Sequence, residues 1–193
     1  MGYLFEDSSS SDDYRGVHKA PDKSDAPLWD VTKDIYPDDI YTLPLDLAAR
    51  YYGASEPGDV AVTDLVRRYR NKPNAKIKIY RAVPRIKTRE EEIAELEDFK
   101  RQIMRRGKAN TTLSYDSLSN RIDKLRQEIE SGLPDKENIN EINPGDWITI
   151  YRPYAKEHGE GALNGEYKIL TKTVTAKELF TDGNSLYEWG WSP

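Results

Sequence analysis

Two residues of opposite charge carry the strongest chemical signal, because each lies in a stretch of sequence that is otherwise suited to burial. Glu188 stands in an aromatic run between Tyr187 and Trp189. Arg81 lies in residues 76–84, where isoleucine and valine alternate with lysine, tyrosine and alanine. That period of two predicts a β-strand with Arg81 on its inward face. A buried carboxylate or guanidinium needs a partner or a ligand, so the two residues predict a site.

A third segment could supply polar and aromatic groups to the same site. Residues 144–151 predict a turn followed by a short strand, in which Thr149 and Tyr151 alternate with isoleucines and share one face. Residues 153–158 predict the start of a helix that Gly159 ends. The three segments together predict that Arg81, Thr149 and Glu188 converge on one cleft.

In this order, the three segments resemble the Arg-Ser/Thr-Glu branch of the ADP-ribosyltransferase fold. They are most similar to the ADP-ribosyltransferase-like domains of phage polyvalent and virion-associated proteins. The motifs that carry the likeness are Ile-Tyr-Arg-Ala-Val-Pro, Asn-Pro-Gly-Asp-Trp-Ile-Thr and Leu-Phe-Thr-Asp-Gly-Asn-Ser-Leu-Tyr-Glu-Trp-Gly. The resemblance covers residues 26–84 and 140–191. It implies an α+β fold with a split, mixed β-sheet and flanking helices.

The resemblance also implies a function: an NAD-dependent ADP-ribosyltransferase of phage or mobile-element origin that modifies a host macromolecule in the bacterial cytoplasm. Glu188 would stabilise the positive charge that develops as nicotinamide leaves, Arg81 would orient NAD, and Thr149 would support the site. The residues implied in NAD binding are Arg81, Tyr80, Thr149, Tyr151 and Tyr154.

Two positions depart from the family pattern and leave a second hypothesis open. Tyr151 stands where the family has a serine, and Leu186 stands two residues before the glutamate, where a side chain that activates the acceptor is usual. The alternative is a weakly active or inactive ADP-ribosyltransferase-fold protein that binds and inhibits a host defence or transcription protein. From the residues alone, Arg81 could equally pair with an acidic neighbour such as Asp146.

The resemblance does not account for residues 88–132, which have the pattern of two helices. Thr88 and Glu91 have the spacing of a capping box, and Gly107 and Gly132 mark the two helix ends. Each half has an apolar stripe: Ile93, Leu96 and Ile103 in the first, and Leu118, Ile122, Leu125 and Ile129 in the second. We expect an inserted, protruding antiparallel hairpin. It either packs on itself or recognises a target protein or a second copy of the chain.

Composition limits the other possibilities. The 193 residues carry a net charge of −5, which does not favour a general nucleic-acid binder. No cysteine and two histidines make thiolate or histidine metal sites improbable, and no apolar stretch predicts a membrane span, so a cytoplasmic protein is expected. Residues 1–25 are polar and predict a flexible acidic arm, followed by one domain over residues 26–193.

Apolar spacing and turn residues predict the remaining elements. The helices are expected at 45–52, ended by Gly53, and at 60–69, with a single helical turn at 176–180. A further strand is expected at 166–174.

Overall fold

The structure, a computed structural model, describes residues 19–33, 35–106, 115–135 and 139–193. The chain divides into two compact units. The first, called the sheet unit below, comprises the described residues up to 84 together with 139–193. The second, the hairpin unit, lies within residues 85–138.

The elements follow in chain order. The strands are β1 (Ala26–Pro27), β2 (Lys76–Pro84), β3 (Trp147–Ile148), β4 (Tyr167–Thr175), β5 (Leu179–Thr181) and β6 (Trp189–Trp191). The helices are α1 (Asp39–Thr42), α2 (Leu45–Tyr52), α3 (Asp59–Arg68), α4 (Arg89–Arg106), α5 (Tyr115–Glu130) and α6 (Arg152–Gly161), with α4 and α5 in the hairpin unit. One 3-10 turn, Ala176–Glu178, precedes β5.

Two antiparallel sheets form the centre of the sheet unit. One has the strand order β1-β5-β6-β3, and the other pairs β2 with β4 over nine residues. Within the described part of the chain, one bridge joins them, in which the backbones of Tyr80 and Thr149 exchange hydrogen bonds of 2.8 and 2.9 Å. The α+β class is confirmed. The expected mixed sheet is wrong for the described residues, because short connections such as that between β5 and β6 return the chain antiparallel, whereas parallel neighbours need a crossover.

The sheets and helices of this unit enclose one apolar core. Trp189 of β6 is fully buried at its centre, and Ile79 of β2 and Leu186 are similarly enclosed. Helix α3 contributes Val62 and Val66, which lie one turn apart and are both fully buried. These residues belong to different sequence segments, so packing in the core fixes how the segments that carry the candidate site lie together.

The folded sheet unit includes residues that were predicted to belong to the flexible arm at 1–25. Ala20 is buried, and the carbonyl oxygen of Pro21 would lie 1.7 Å from a Cβ atom at residue 190. Only glycine fits there, so Gly190 admits the N-terminal backbone against β6. The predicted boundary at residue 25 is therefore too late, while residues 1–18 lie outside the described part of the chain.

Most predicted elements are present with small shifts at their ends. The strand at 76–84 and the helix at 45–52 are confirmed, and the expected strand at 166–174 is found at 167–175. Gly159 does not end α6, which continues to Gly161. A Cβ at 159 would lie 2.4 Å from the Tyr167 ring, so the glycine is a packing contact inside the helix. The expected helical turn at 176–180 is shorter and gives way to β5.

The hairpin unit forms the predicted antiparallel pair of helices. Thr88 and Glu91 make the capping box, the Glu91 amide donating to Thr88 Oγ1 at 3.2 Å and the Thr88 amide to the Glu91 carboxylate at 3.3 Å. Across the pair, Arg121 reaches Glu92 at 2.8 Å, and Arg89 Nε reaches Glu128 at 2.9 Å. Arg89 is nearer the start of α4 than Glu92, and its partner Glu128 is nearer the end of α5 than Arg121. The two helices therefore run in opposite directions.

The apolar seam and the second helix end also match the pattern. Leu118, Ile122 and Leu125 of α5 are buried. At the end of α5, Gly132 has a φ of +71°, the Gly132 amide donates to the Ile129 carbonyl, and the Leu133 amide donates to the Glu128 carbonyl. This is the Schellman arrangement that glycine allows. Gly107 lies outside the described residues, and no helix within them is long and apolar enough to span a membrane.

The division into two units predicts that the hairpin is dispensable for folding of the rest. Replacing residues 88–132 with a short Gly/Ser link should leave the sheet unit with a cooperative thermal unfolding transition and its near-ultraviolet circular dichroism intact. The physical reason is that all residues of the buried apolar core cluster belong to the sheet unit. A shortened chain that lacks a cooperative transition would instead show that the hairpin belongs to the core.

Candidate functional site

Arg81 forms a buried ion pair with Asp146. The side chains are 9% and 1% exposed, and the guanidinium Nη1 contacts the Asp146 carboxylate. Asp146 Oδ2 also accepts from the Asn143 amide at 2.8 Å, which fixes the turn that leads into β3. The alternative in which Arg81 pairs with Asp146 is therefore confirmed.

The strand register separates Arg81 from Thr149. Tyr80 is the bridge partner of Thr149, and paired residues of antiparallel strands project on the same face. Arg81 follows Tyr80 and so projects on the opposite face, beside the buried Ile79 and Val83 sides of β2. The pair formed by Arg81 and Asp146 thus holds β2 against the β3 turn from the inner side.

Thr149 shapes the chain where β3 meets α6. Its Oγ1 accepts a hydrogen bond from the Tyr151 amide at 3.1 Å, and its side chain is buried. A threonine hydroxyl that bonds the amide two residues later stabilises a turn. Thr149 therefore directs Tyr151 and the first turn of α6, including Tyr154.

Glu188 lies at the same end of the β3–β6 pairing as Thr149. It directly precedes Trp189, whose register partner is Ile148, the residue before Thr149. Glu188 is half-buried, and its Oε1 accepts a hydrogen bond from the Tyr154 hydroxyl at 2.7 Å. The carboxylate is thus held in place by the first turn of α6.

Tyr154, which bonds this carboxylate, belongs to a group of three tyrosine rings. Tyr154 and Tyr187 stack with centroids 5.0 Å apart and an angle of 25°, and Tyr151 lies tilted against Tyr187 at 5.9 Å. A Cβ at residue 58 would lie 2.6 Å from the Tyr151 ring, so the backbone of Gly58 closes directly on this cluster. We call Tyr151, Tyr154 and Tyr187 the tyrosine cluster.

The tyrosine cluster connects Glu188 to a second, buried carboxylate. The Tyr187 hydroxyl donates to Asp59 Oδ1 at 2.7 Å. Asp59 also accepts from the amides of Ala54 at 3.2 Å and Glu56 at 2.9 Å, which ties down the loop before α3. The sequence analysis missed Asp59. Its place at the start of a helical pattern was a usable signal for capping, but nothing in the sequence linked it to Tyr187.

Both hydroxyls that hold carboxylates are kept protonated. Burial, and then the hydrogen bond to Glu188, raise the pKa of Tyr154 above the usual tyrosine range. Burial, and then the hydrogen bond to Asp59, raise the pKa of Tyr187 in the same direction. Two neutral phenols therefore act as fixed donors to two carboxylates across one stacked pair of rings.

The structure divides the predicted site residues into two groups. Glu188, Tyr154 and Tyr151 lie together around the tyrosine cluster, with Thr149 at the adjoining strand end. Arg81 lies with Asp146 on the other face of β2, and Tyr80 is joined to Thr149 through the backbone. The catalytic and NAD-binding roles of these residues stay predictions.

Comparison with protein-family models, with curated proteins and with solved structures finds no significant match to this chain. The resemblance to ADP-ribosyltransferase-like domains therefore depends on the three sequence motifs.

The ion pair generates a stability prediction. Asp146→Asn should lower the free energy of unfolding by about 3–5 kcal/mol, because it removes one charged member of a buried ion pair. Urea denaturation monitored by tryptophan fluorescence measures the change. As a control, Asp64→Asn breaks the surface pair with Arg68, whose side chains are 35% and 67% exposed, and should cost no more than about 1 kcal/mol.

A double substitution tests whether the two residues of this ion pair act as a unit. Combining Asp146→Asn with Arg81→Met should recover part of the lost stability, because the buried guanidinium that has lost its contact with the Asp146 carboxylate is then removed as well. If the double variant is as unstable as the sum of the two single variants, the pair does not act as a unit.

Tyr187→Phe should destabilise the sheet unit by about 1.5–3 kcal/mol, because it removes a hydrogen bond to the buried Asp59 carboxylate. The matched control is Tyr167→Phe, which removes an exposed bond to Glu160 and keeps the ring over Gly159. The control should cost clearly less in the same urea denaturation experiment. Equal losses in the two variants would count against a special role for the buried bond.

Alkaline pH should reduce the difference in free energy of unfolding between the wild type and Tyr187→Phe. Folding raises the pKa of the Tyr187 hydroxyl. The stability that this hydroxyl contributes is therefore fully present below about pH 10, the usual tyrosine pKa, and is lost as the pH rises toward the raised pKa. Urea denaturation of both proteins in an alkaline pH series tests this. A difference that stays constant throughout the series contradicts the prediction.

Proposed function

We propose that this chain is an NAD-dependent ADP-ribosyltransferase that acts on a host macromolecule. The observation that carries the proposal is Glu188, a half-buried carboxylate held at 2.7 Å by the Tyr154 hydroxyl beside the tyrosine cluster. A carboxylate fixed in this way beside aromatic rings suits a reaction in which positive charge develops on a sugar.

In the proposed reaction, the bond between nicotinamide and ribose C1′ breaks and nicotinamide leaves with the bonding electrons. An acceptor nucleophile then bonds to C1′ and gives up its proton. Glu188 stabilises the cationic character at the ribose, and Tyr154 keeps the carboxylate oriented. Tyr151, which is half-buried, offers a ring face of the kind on which nicotinamide stacks.

Under this proposal, Arg81 acts as a positioning residue. Its contact with Asp146 fixes the turn before β3, and β3 leads to Thr149 and Tyr151. Arg81 therefore supports the site indirectly, by fixing the backbone that leads to Thr149 and Tyr151. This differs from the direct contact with NAD that the family resemblance implies.

A second candidate function is favoured by one observation. Leu186, at the position from which related enzymes activate their acceptor, is 1% exposed and part of the apolar core. The alternative is a protein of the same fold that binds and inhibits a host protein without transferring ADP-ribose.

Incubation with NAD separates the two functions. The wild-type chain should release nicotinamide from NAD and label a component of a bacterial lysate when the NAD carries a tag on its adenine side. Glu188→Gln should lower nicotinamide release by about 100-fold or more while leaving NAD binding in place, because the carboxylate acts mainly in the transition state. Chromatography of nicotinamide and calorimetry of NAD binding measure the two effects.

The matched control is Glu141→Gln, which makes the same change at an exposed position of the sheet unit. It should keep full activity. Absence of both NAD binding and nicotinamide release in the wild type would refute the enzyme proposal and leave the binding function. Release that is unaffected by Glu188→Gln would show that the glutamate is structural.

A further inference from the structure

Glu56 is an exposed residue on the loop at 53–58, which connects α2 to α3 and lies against the tyrosine cluster. The Glu56 amide donates to Asp59 Oδ2 at 2.9 Å, and the Asp59 amide donates back to the Glu56 carbonyl at 3.1 Å. The other oxygen of the Asp59 carboxylate, Oδ1, accepts from the Tyr187 hydroxyl at 2.7 Å. Asp59 therefore ties the backbone of Glu56 to the tyrosine cluster.

The backbone of this loop fits closely against two residues of the cluster. A Cβ at residue 58 would lie 2.6 Å from the Tyr151 ring and 3.0 Å from the Tyr187 hydroxyl, so Gly58 allows an approach that a side chain would prevent. Ser55 has a φ of +65°, a left-handed conformation that is uncommon for residues other than glycine. Such a conformation persists where the surrounding contacts fix it. The loop therefore holds the Glu56 backbone beside the candidate site in one defined position.

The charge of Glu56 also reaches the hydroxyls of the tyrosine cluster. Burial is the main cause that raises the pKa of Tyr154 and the pKa of Tyr187, and the negative charge of Glu56 adds to the effect of burial on both. The interaction between two charges weakens with distance and is screened by solvent, so the Glu56 carboxylate lies near both hydroxyls. Tyr154 in turn donates to Glu188 at 2.7 Å. Two carboxylates, one half-buried and one exposed, thus act on the same phenol.

The proposed reaction needs a base, which Leu186 cannot provide. When an acceptor bonds to ribose C1′, it gives up a proton. Leu186 is apolar and 1% exposed, so it cannot take that proton. Glycosidic bonds are commonly cleaved by a pair of carboxylates, of which one can take the proton of the incoming nucleophile. Glu188 acts on the ribose in the proposed reaction, which leaves the role of base to a second carboxylate.

We propose that Glu56 is the general base that activates the acceptor. The inference rests on the proposed function. The lone pair of the acceptor bonds to ribose C1′, the bond from C1′ to nicotinamide breaks, and its electron pair leaves with nicotinamide. The proton of the acceptor passes to the Glu56 carboxylate, which later returns it to solvent. Because Glu56 is exposed, a side chain of a macromolecule can reach it.

Glu157 is the closest comparison, because it is an exposed carboxylate whose charge adds to the effect of burial in raising the pKa of Tyr154. It lies on α6, three residues after Tyr154. Two observations favour Glu56 as the base: its charge acts on Tyr187 as well, and its backbone is fixed through Asp59. Glu157→Gln is therefore a matched control, since it removes a negative charge near the same phenol.

Azide rescue tests whether Glu56 removes a proton. Glu56→Gln should lower nicotinamide release with water as the acceptor by about 100-fold, a typical contribution of a general base. Sodium azide should restore release, compared with sodium chloride at the same concentration, because azide is an anionic nucleophile with no proton to lose. Mass spectrometry should detect the azide adduct of ADP-ribose. Calorimetry should show unchanged NAD binding, which separates loss of the base from loss of the binding site.

The other variants define the outcomes. Glu157→Gln should keep the wild-type rate in water, and Glu188→Gln should stay slow in azide, because it has lost the stabilisation of the ribose cation. A Glu56→Gln variant with the wild-type rate, or a slow variant that azide does not restore, would overturn this inference and leave the proposed function in place. A wild type that neither binds NAD nor releases nicotinamide would overturn both.

Discussion

The buried ion pair between Arg81 and Asp146 is the interaction on which the rest of the sheet unit depends. It connects the two-stranded sheet to the turn that starts β3, and so complements the backbone bridge between Tyr80 and Thr149. Charges are costly to bury, and this cost is offset only when the partners stay in place. The pair therefore specifies one arrangement of β2 against β3, and alternatives that separate the two residues are strongly disfavoured.

From that arrangement, a chain of local bonds leads to the candidate site. Thr149 turns the chain into α6, α6 presents Tyr154, and Tyr154 holds Glu188. On the other side of the stacked rings, Tyr187 holds Asp59 and with it the loop before α3. Each carboxylate receives a hydrogen bond from a neutral phenol, which is a fixed dipole that needs no rearrangement to stabilise negative charge. Such a preorganised site is what a reaction with developing charge requires, and it is equally a rigid surface for binding.

The hairpin unit is organised by different forces. Its helices are held by an apolar seam and by surface ion pairs, each of which contributes little alone. A two-helix hairpin leaves one flank of each helix open unless something covers it. In this chain, the stripe of α5 formed by Leu118, Ile122 and Leu125 is buried. The candidate site, in contrast, lies entirely within the sheet unit.

Features that depend on neighbours along the chain follow from the amino-acid sequence alone. The alternation of residues 76–84 located β2, and the capping box at Thr88 and the glycine at 132 located two helix ends, because the period of apolar residues and the local bonding of caps and turns act over a few residues. The short strands β1 and β5 were missed. Two or three residues carry no period, and these strands exist only through pairing with distant segments.

The partners of the charged residues, in contrast, depend on tertiary packing. Sequence pattern placed Arg81 inward and left its partner open, and the fold selected Asp146 across 65 positions of the chain. It likewise joined Glu188 to Tyr154 and Tyr187 to Asp59, a link that no local signal announced. The physical reason is that a buried charge is satisfied by whichever opposite charge or donor the core brings near. That choice depends on how the sheets pack, which the order of the residues specifies only through the whole fold.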